Sequence, residues 1–239
     1  MTSTTSFLFA ATLALSATSA FADGHAASEN GTGLYGFVFG GATFDDSLDT
    51  DGIITTPAGP GPQTVDTDYD TGFQLGFGVG RSFAGLSSDR IGVRGEIELS
   101  YGEADADEIR FSGNGPAAEV NVGGGIQSTT VFANIYADFV TSGPVTPFVG
   151  AGVGLGRFSQ DLIYGPGVQV SESDTAFGAQ LIAGVAWDVS EKVTLTADAR
   201  YRAFFDIESN RFAPTGATTG VVSGDLSSVS LNIGARFAF

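Results

Sequence analysis

The chain has 239 residues, enough for one sizeable domain or two small ones, and no cysteine, which removes disulfide frameworks, iron–sulfur ligation and thiol catalysis together. Its 27 acidic residues outnumber 10 basic ones, and the net charge of −17 repels a polyphosphate, so nucleic acid is excluded as a partner. Yet 42% of the residues are hydrophobic.

The N-terminus shows the first place where they gather. Phe7 to Leu15 are apolar apart from Thr12, a run too short to span a bilayer but long enough for the core of a signal peptide. Ala20-Phe21-Ala22 supplies a small-x-small cleavage site, although no Lys or Arg precedes the run. Residues 1–22 are therefore expected to be an export signal, with 23–33 a periplasmic linker to the domain that fills 34–239. No later segment offers 18 consecutive apolar residues, so no transmembrane helix is expected.

From Leu34 onward the period is two, over 34–44, 68–82, 90–101, 128–140, 147–158, 174–188, 192–205 and 226–239. In the third segment Ile91, Val93, Ile97 and Leu99 oppose Arg90, Arg94, Glu96 and Glu98. In the seventh, Val193, Leu195, Ala197, Ala199 and Tyr201 oppose Thr194, Thr196, Asp198, Arg200 and Arg202. In the eighth, Val229, Leu231, Ile233 and Phe237 oppose Ser230, Asn232 and Arg236. These segments exceed the usual strand of a soluble sheet and match the roughly 9–11 tilted residues that cross a hydrocarbon core. The connections run about 23, 7, 26, 6, 15, 3 and 20 residues. Such alternation is the pattern of short periplasmic turns and long extracellular loops in an eight-stranded antiparallel up-and-down transmembrane β-barrel, an all-β fold. A secreted soluble β-sandwich binding protein would also alternate, but with its charges outward on every strand. Here most acids fall in the long connections, among them Asp45, Asp49, Asp66, Asp68, Asp105 and Glu108.

If the greasy face meets lipid, parity turns Arg94, Glu96, Glu98, Asp138, Asp198, Arg200, Arg202 and Arg236 into the lumen. Four arginines and four carboxylates can neutralise one another, and left unpaired each would cost several kcal/mol, so a hydrogen-bonded plug is expected. A narrow porin-like channel lined by these charges is the alternative. Glycine on alternate positions, as in Gly76 to Gly80 and Gly150 to Gly156, lacks any nucleotide-loop spacing and instead leaves room for facing bulky side chains. Tyr35, Phe37, Phe83, Phe139, Trp187, Phe237 and Phe239 at one set of strand ends, and Phe73, Tyr101, Phe158, Tyr201 and Phe205 at the other, suggest two interfacial girdles.

The ending SLNIGARFAF resembles that of the small Gram-negative outer-membrane β-barrel proteins, the group of the OmpA transmembrane domain, OmpX and the opacity proteins. That resemblance covers 34–239 and implies residence in the cell outer membrane, with Phe237 and Phe239 forming the signal read by the barrel-assembly machinery. It also implies contact with outer-membrane lipid and lipopolysaccharide, and loops free to meet an extracellular partner. Neither a metal nor a cofactor is expected: DDSLDTDG fails the EF-hand pattern, with Ser47 in the first place and Ala58 in the twelfth. Enzymes on similar barrels use histidine, whereas His25 stands alone here before the first strand, so no catalysis is expected.

Overall fold

A computed structural model describes residues 33–56, 59–113, 122–164, 168–212 and 218–239, so the expected signal peptide lies outside the described residues. The strands are β1 (Leu34–Thr56), β2 (Gly59–Tyr69), β3 (Gly72–Ser82), β4 (Ile91–Gly113), β5 (Gly123–Phe139), β6 (Val145–Tyr164), β7 (Val168–Ser190), β8 (Val193–Phe212) and β9 (Thr218–Ala238). Each is antiparallel to its neighbours, and β9 pairs back onto β1, so the sheet closes on itself. Although the described residues form nine strands, the ring has eight staves. β3 lies between the first half of β1 and the first half of β4, while β2 lies between their second halves. β2 and β3 are thus one stave interrupted at Asp70 and Thr71, where the Asp70 amide donates to the Asp105 carbonyl at 2.8 Å.

The long connections are the main departure from expectation. They are largely strand: β1, β4 and β7 each run 23 residues. At roughly 3.3 Å per residue such a strand reaches about 75 Å, far more than a tilted crossing of a 30 Å core requires. The barrel therefore continues as a paired extension beyond any membrane. Turn-forming Asp and Gly in these segments hid the pairing, and bulges broke the alternation. Extra residues between Phe44 and Ser47 of β1, between Ala106 and Glu108 of β4, and between Phe204 and Ile207 of β8 each shift parity by one. Asp206, in the third bulge, takes a positive φ of 57°.

Next to the short turns the outer face is greasy. Leu75, Phe77, Val79, Ile97, Ile135, Leu155, Leu181 and Ile233 are all exposed. In the extension the arrangement inverts. Leu48, Val65, Ile109, Ile126, Leu162, Ile207 and Leu226 are buried inside, and Asp49, Asp51, Asp105, Asp107, Asp161, Glu208 and Asp225 face out.

The glycine stripes position the interior. Tyr35, Phe37 and Phe39 of β1 lie directly opposite Gly80, Gly78 and Gly76 of β3, and a Cβ at any of those glycines would collide with the facing ring. Tyr136, Asn134 and Phe132 of β5 stand in the same relation to Gly150, Gly152 and Gly154 of β6.

Candidate functional site

The closed sheet gathers its inward charges in the half beside the short turns. Glu98 of β4 is completely buried at 0% exposure. It accepts from Arg200 Nη1 at 2.7 Å and from Arg202 Nη2 at 2.8 Å, so two arginines of β8 converge on one carboxylate from across the lumen. Asp198 accepts from Arg200 Nε at 2.6 Å and from Asn232 Nδ2 at 3.0 Å. The Arg200 guanidinium also lies 4.0 Å from the Phe39 ring centre, a cation–π contact in a desolvated place.

A second cluster lies closer to the short turns. Arg94 donates to Glu96, and its Nε is 3.0 Å from both Asp138 oxygens. Its guanidinium lies 3.6 Å from the centre of the Tyr136 ring. Nη2 of Arg94 has no hydrogen-bond partner among the described residues, consistent with a cation facing aromatic rings instead of acceptors. Arg236 is at the margin of this cluster, with Nε 4.0 Å from Glu96. All eight charges named from sequence parity line the lumen, although Asp138 (21% side-chain exposure) and Arg236 (16%) are less enclosed than the rest.

Tyr35 is a correction to the expected girdle. It points inward, buried at 8%, and its hydroxyl donates to Glu96 at 2.8 Å. The cause is parity, because Tyr35 shares a face with Phe37 and Phe39 while Leu34 and Val38 point outward. Phe158 is also internal, with its ring 4.7 Å from that of Phe204. Phe83, Phe139 and Trp187 do face outward near the short turns, as does Phe239, whereas Phe237 is half-buried. At the upper edge of the greasy belt Phe73 pairs with Tyr101 and Phe177 with Phe205.

Sequence reading missed a layer of neutral amides. Arg202 donates to Gln180 at 2.9 Å and to Gln74 at 2.7 Å, Gln180 donates to Asn134 at 2.7 Å, and Gln74 donates to Asn232 at 2.6 Å. Their signal was available: each amide occupies a lumen-parity position, and Gln74 is the one large inward side chain among Gly72, Gly76, Gly78 and Gly80 of its strand. The layer satisfies donors that the carboxylates cannot reach, which a low-dielectric interior demands.

Small cavities remain in the lumen among the described residues. One of about 40 Å³ lies among Gln74, Thr130, Ser128, Arg202 and Phe158, and one of about 20 Å³ lies among Phe39, Glu96, Arg200 and Arg236. Each has room for a water or a few.

Comparison with known proteins agrees with this geometry. The chain is 28% identical over 179 residues to the outer membrane protein PagN of Salmonella typhimurium, covering 69% of this chain and 73% of that one. Its fold is similar to that of the outer membrane protein OprG from Pseudomonas aeruginosa, with a TM-score of 0.55 and 17% identity over 87% of this chain and 98% of the other. The family model described as "Outer membrane protein beta-barrel domain" matches residues 7–239. With a ring of eight staves, a greasy outer belt and charges turned inward, the chain belongs to that family, and its place is the cell outer membrane.

Proposed function

We propose that this barrel is a non-conducting anchor that holds a stiff acidic platform on the outside of the cell, for contact with the surface environment. The observation that carries this reading is the filled interior. Glu98, Arg200 and Arg202 bridge the lumen, and Phe132, Phe158 and Phe204 pack edge to face above them as an aromatic layer. Eight staves leave an interior that side chains can fill, and the cavities of about 40 and 20 Å³ have room for no more than a few waters each. Opening a passage would require breaking the buried pairs and displacing the aromatic layer together.

In this reading the long end stands outside the cell and the short turns in the periplasm. Phe237 and Phe239 serve the barrel-assembly machinery, the greasy belt meets lipid and lipopolysaccharide, and the extension presents its carboxylates to an extracellular partner. Catalysis has no place in it, because the sequence holds one histidine, His25, ahead of β1. Single-channel recording of the refolded barrel in a planar bilayer tests the reading. A flat baseline is expected, and steady conductance steps would favour the narrow channel instead.

A further inference from the structure

Where the greasy belt gives way to the acidic extension, three adjacent strands change character row by row. Val131, Leu155 and Phe177 are directly opposite one another on β5, β6 and β7, all exposed and apolar. The next outward row is Thr129, Arg157 and Thr175, and all three are exposed. Above it stand Gln127, Ser159 and Ser173, with the two serine hydroxyls 2.8 Å apart. Arg157 makes no ion pair with any described residue, whereas Arg110, an outward cation further up, is held by Asp68 at 3.0 Å and Glu108 at 2.9 Å. Asp161, the next carboxylate along the outward face of β6, is four residues away, roughly 13 Å along the strand.

We infer that Arg157, flanked by the Thr129 and Thr175 hydroxyls, binds the phosphate of a phosphorylated glycolipid in the outer leaflet. An unpaired guanidinium at the lipid–water boundary, roughly 13 Å from the next outward carboxylate of its strand, is open to an anion supplied by its surroundings. The membrane supplies one at that height, on a molecule whose acyl chains continue over Leu155 and Phe177. The guanidinium fork suits two phosphate oxygens, and the hydroxyl rows suit the sugar.

The site rests on the orientation proposed above, with the long end outside. Protease shaving of whole cells tests that orientation separately. For the site itself, the delipidated barrel in detergent, its fold checked by heat-modifiable gel mobility, is titrated with bisphosphorylated lipid A and followed by native mass spectrometry. Arg157→Gln is expected to weaken binding at least about tenfold, in line with loss of a charge-assisted hydrogen bond. Arg157→Lys should retain part of it. Arg81→Gln, which removes an exposed arginine beside the short turns, should change nothing. Equal binding by wild type and Arg157→Gln, equal binding of fully dephosphorylated lipid A to the wild type, or an equal loss with phosphatidylglycerol would each overturn the assignment.

Discussion

The same staves run through two regions that solve opposite problems. Beside the short turns, Leu181 and Ile233 point out while Glu98, Arg200 and Gln180 are buried. In the extension, Ile109 and Ile207 are buried at 1% while Asp105 and Glu208 face out. One region is a barrel dissolved in lipid and the other a barrel dissolved in water, joined without a break in pairing. Alternation therefore tells only that the two faces differ. Which face goes inside depends on the solvent, and the solvent changes partway up each stave.

The largest effect should come from the lipid-embedded interior. Glu98→Ala leaves Arg200 and Arg202 facing each other without their shared carboxylate, and a loss of about 3–5 kcal/mol is expected in urea unfolding. Glu98→Gln, which keeps an acceptor, should cost less. Replacing Glu98, Arg200 and Arg202 together with apolar residues of similar volume should restore much of the loss, because the desolvation penalty disappears with the charges. A Glu98→Ala midpoint equal to wild type would mean that the plug contributes nothing.

A pair of outward substitutions sets the two regions against each other directly. Leu181 and Val221 are both exposed and apolar, at 62% and 49%, but one is in the belt and the other in the extension. Leu181→Arg should cost about 2–4 kcal/mol in a lipid bilayer, the penalty for a cation near the midplane. Val221→Arg should change stability by no more than about 0.5 kcal/mol, as on any wet surface. Equal costs would move the membrane boundary to the top of the barrel.

Arg236→Ala should have a smaller effect, about 1–2 kcal/mol by the same unfolding measurement. Parity alone makes Arg236 look equivalent to Arg200, but its Nε is 4.0 Å from Glu96 and it is partly open to water. This marks the boundary of what sequence can tell. The eight-stave ring and the inward charges were legible, because period two fixes parity and the greasy set is unambiguous in Val93 to Leu99 and Val193 to Tyr201. Tyr35 was misplaced because an aromatic near a strand end reads as a girdle unless the facing Gly80 is known, and pairing is not visible in one strand. The extension was read as loop because Asp and Gly are poor strand formers, and because the bulges at 44–47, 106–108 and 204–207 interrupt the alternation.

The smallest effect concerns the extension's outer wall. Asp49 of β1 lies directly opposite Asp66 of β2 on one side and Asp225 of β9 on the other, all pointing to water. Partial burial, and then the charges of Asp66, Asp68 and Asp51, push its carboxyl above the ordinary aspartate value. A raised carboxyl favours the protonated folded form, so the folded hairpin β1–β2 carries no penalty at low pH. It acquires repulsion absent from the unfolded chain as pH rises from the usual carboxylate value through the raised one. Arg110, bound to Asp68, relieves the repulsion on one side only. Amide exchange in β1 and β2, corrected for intrinsic rate, should therefore be slower at pH 4 than at pH 7. Asp49→Asn should slow it at pH 7 and flatten the dependence. An exchange profile that does not move between the two pH values, or that moves equally in Asp49→Asn, would show that this wall is too well solvated for its charges to act on one another.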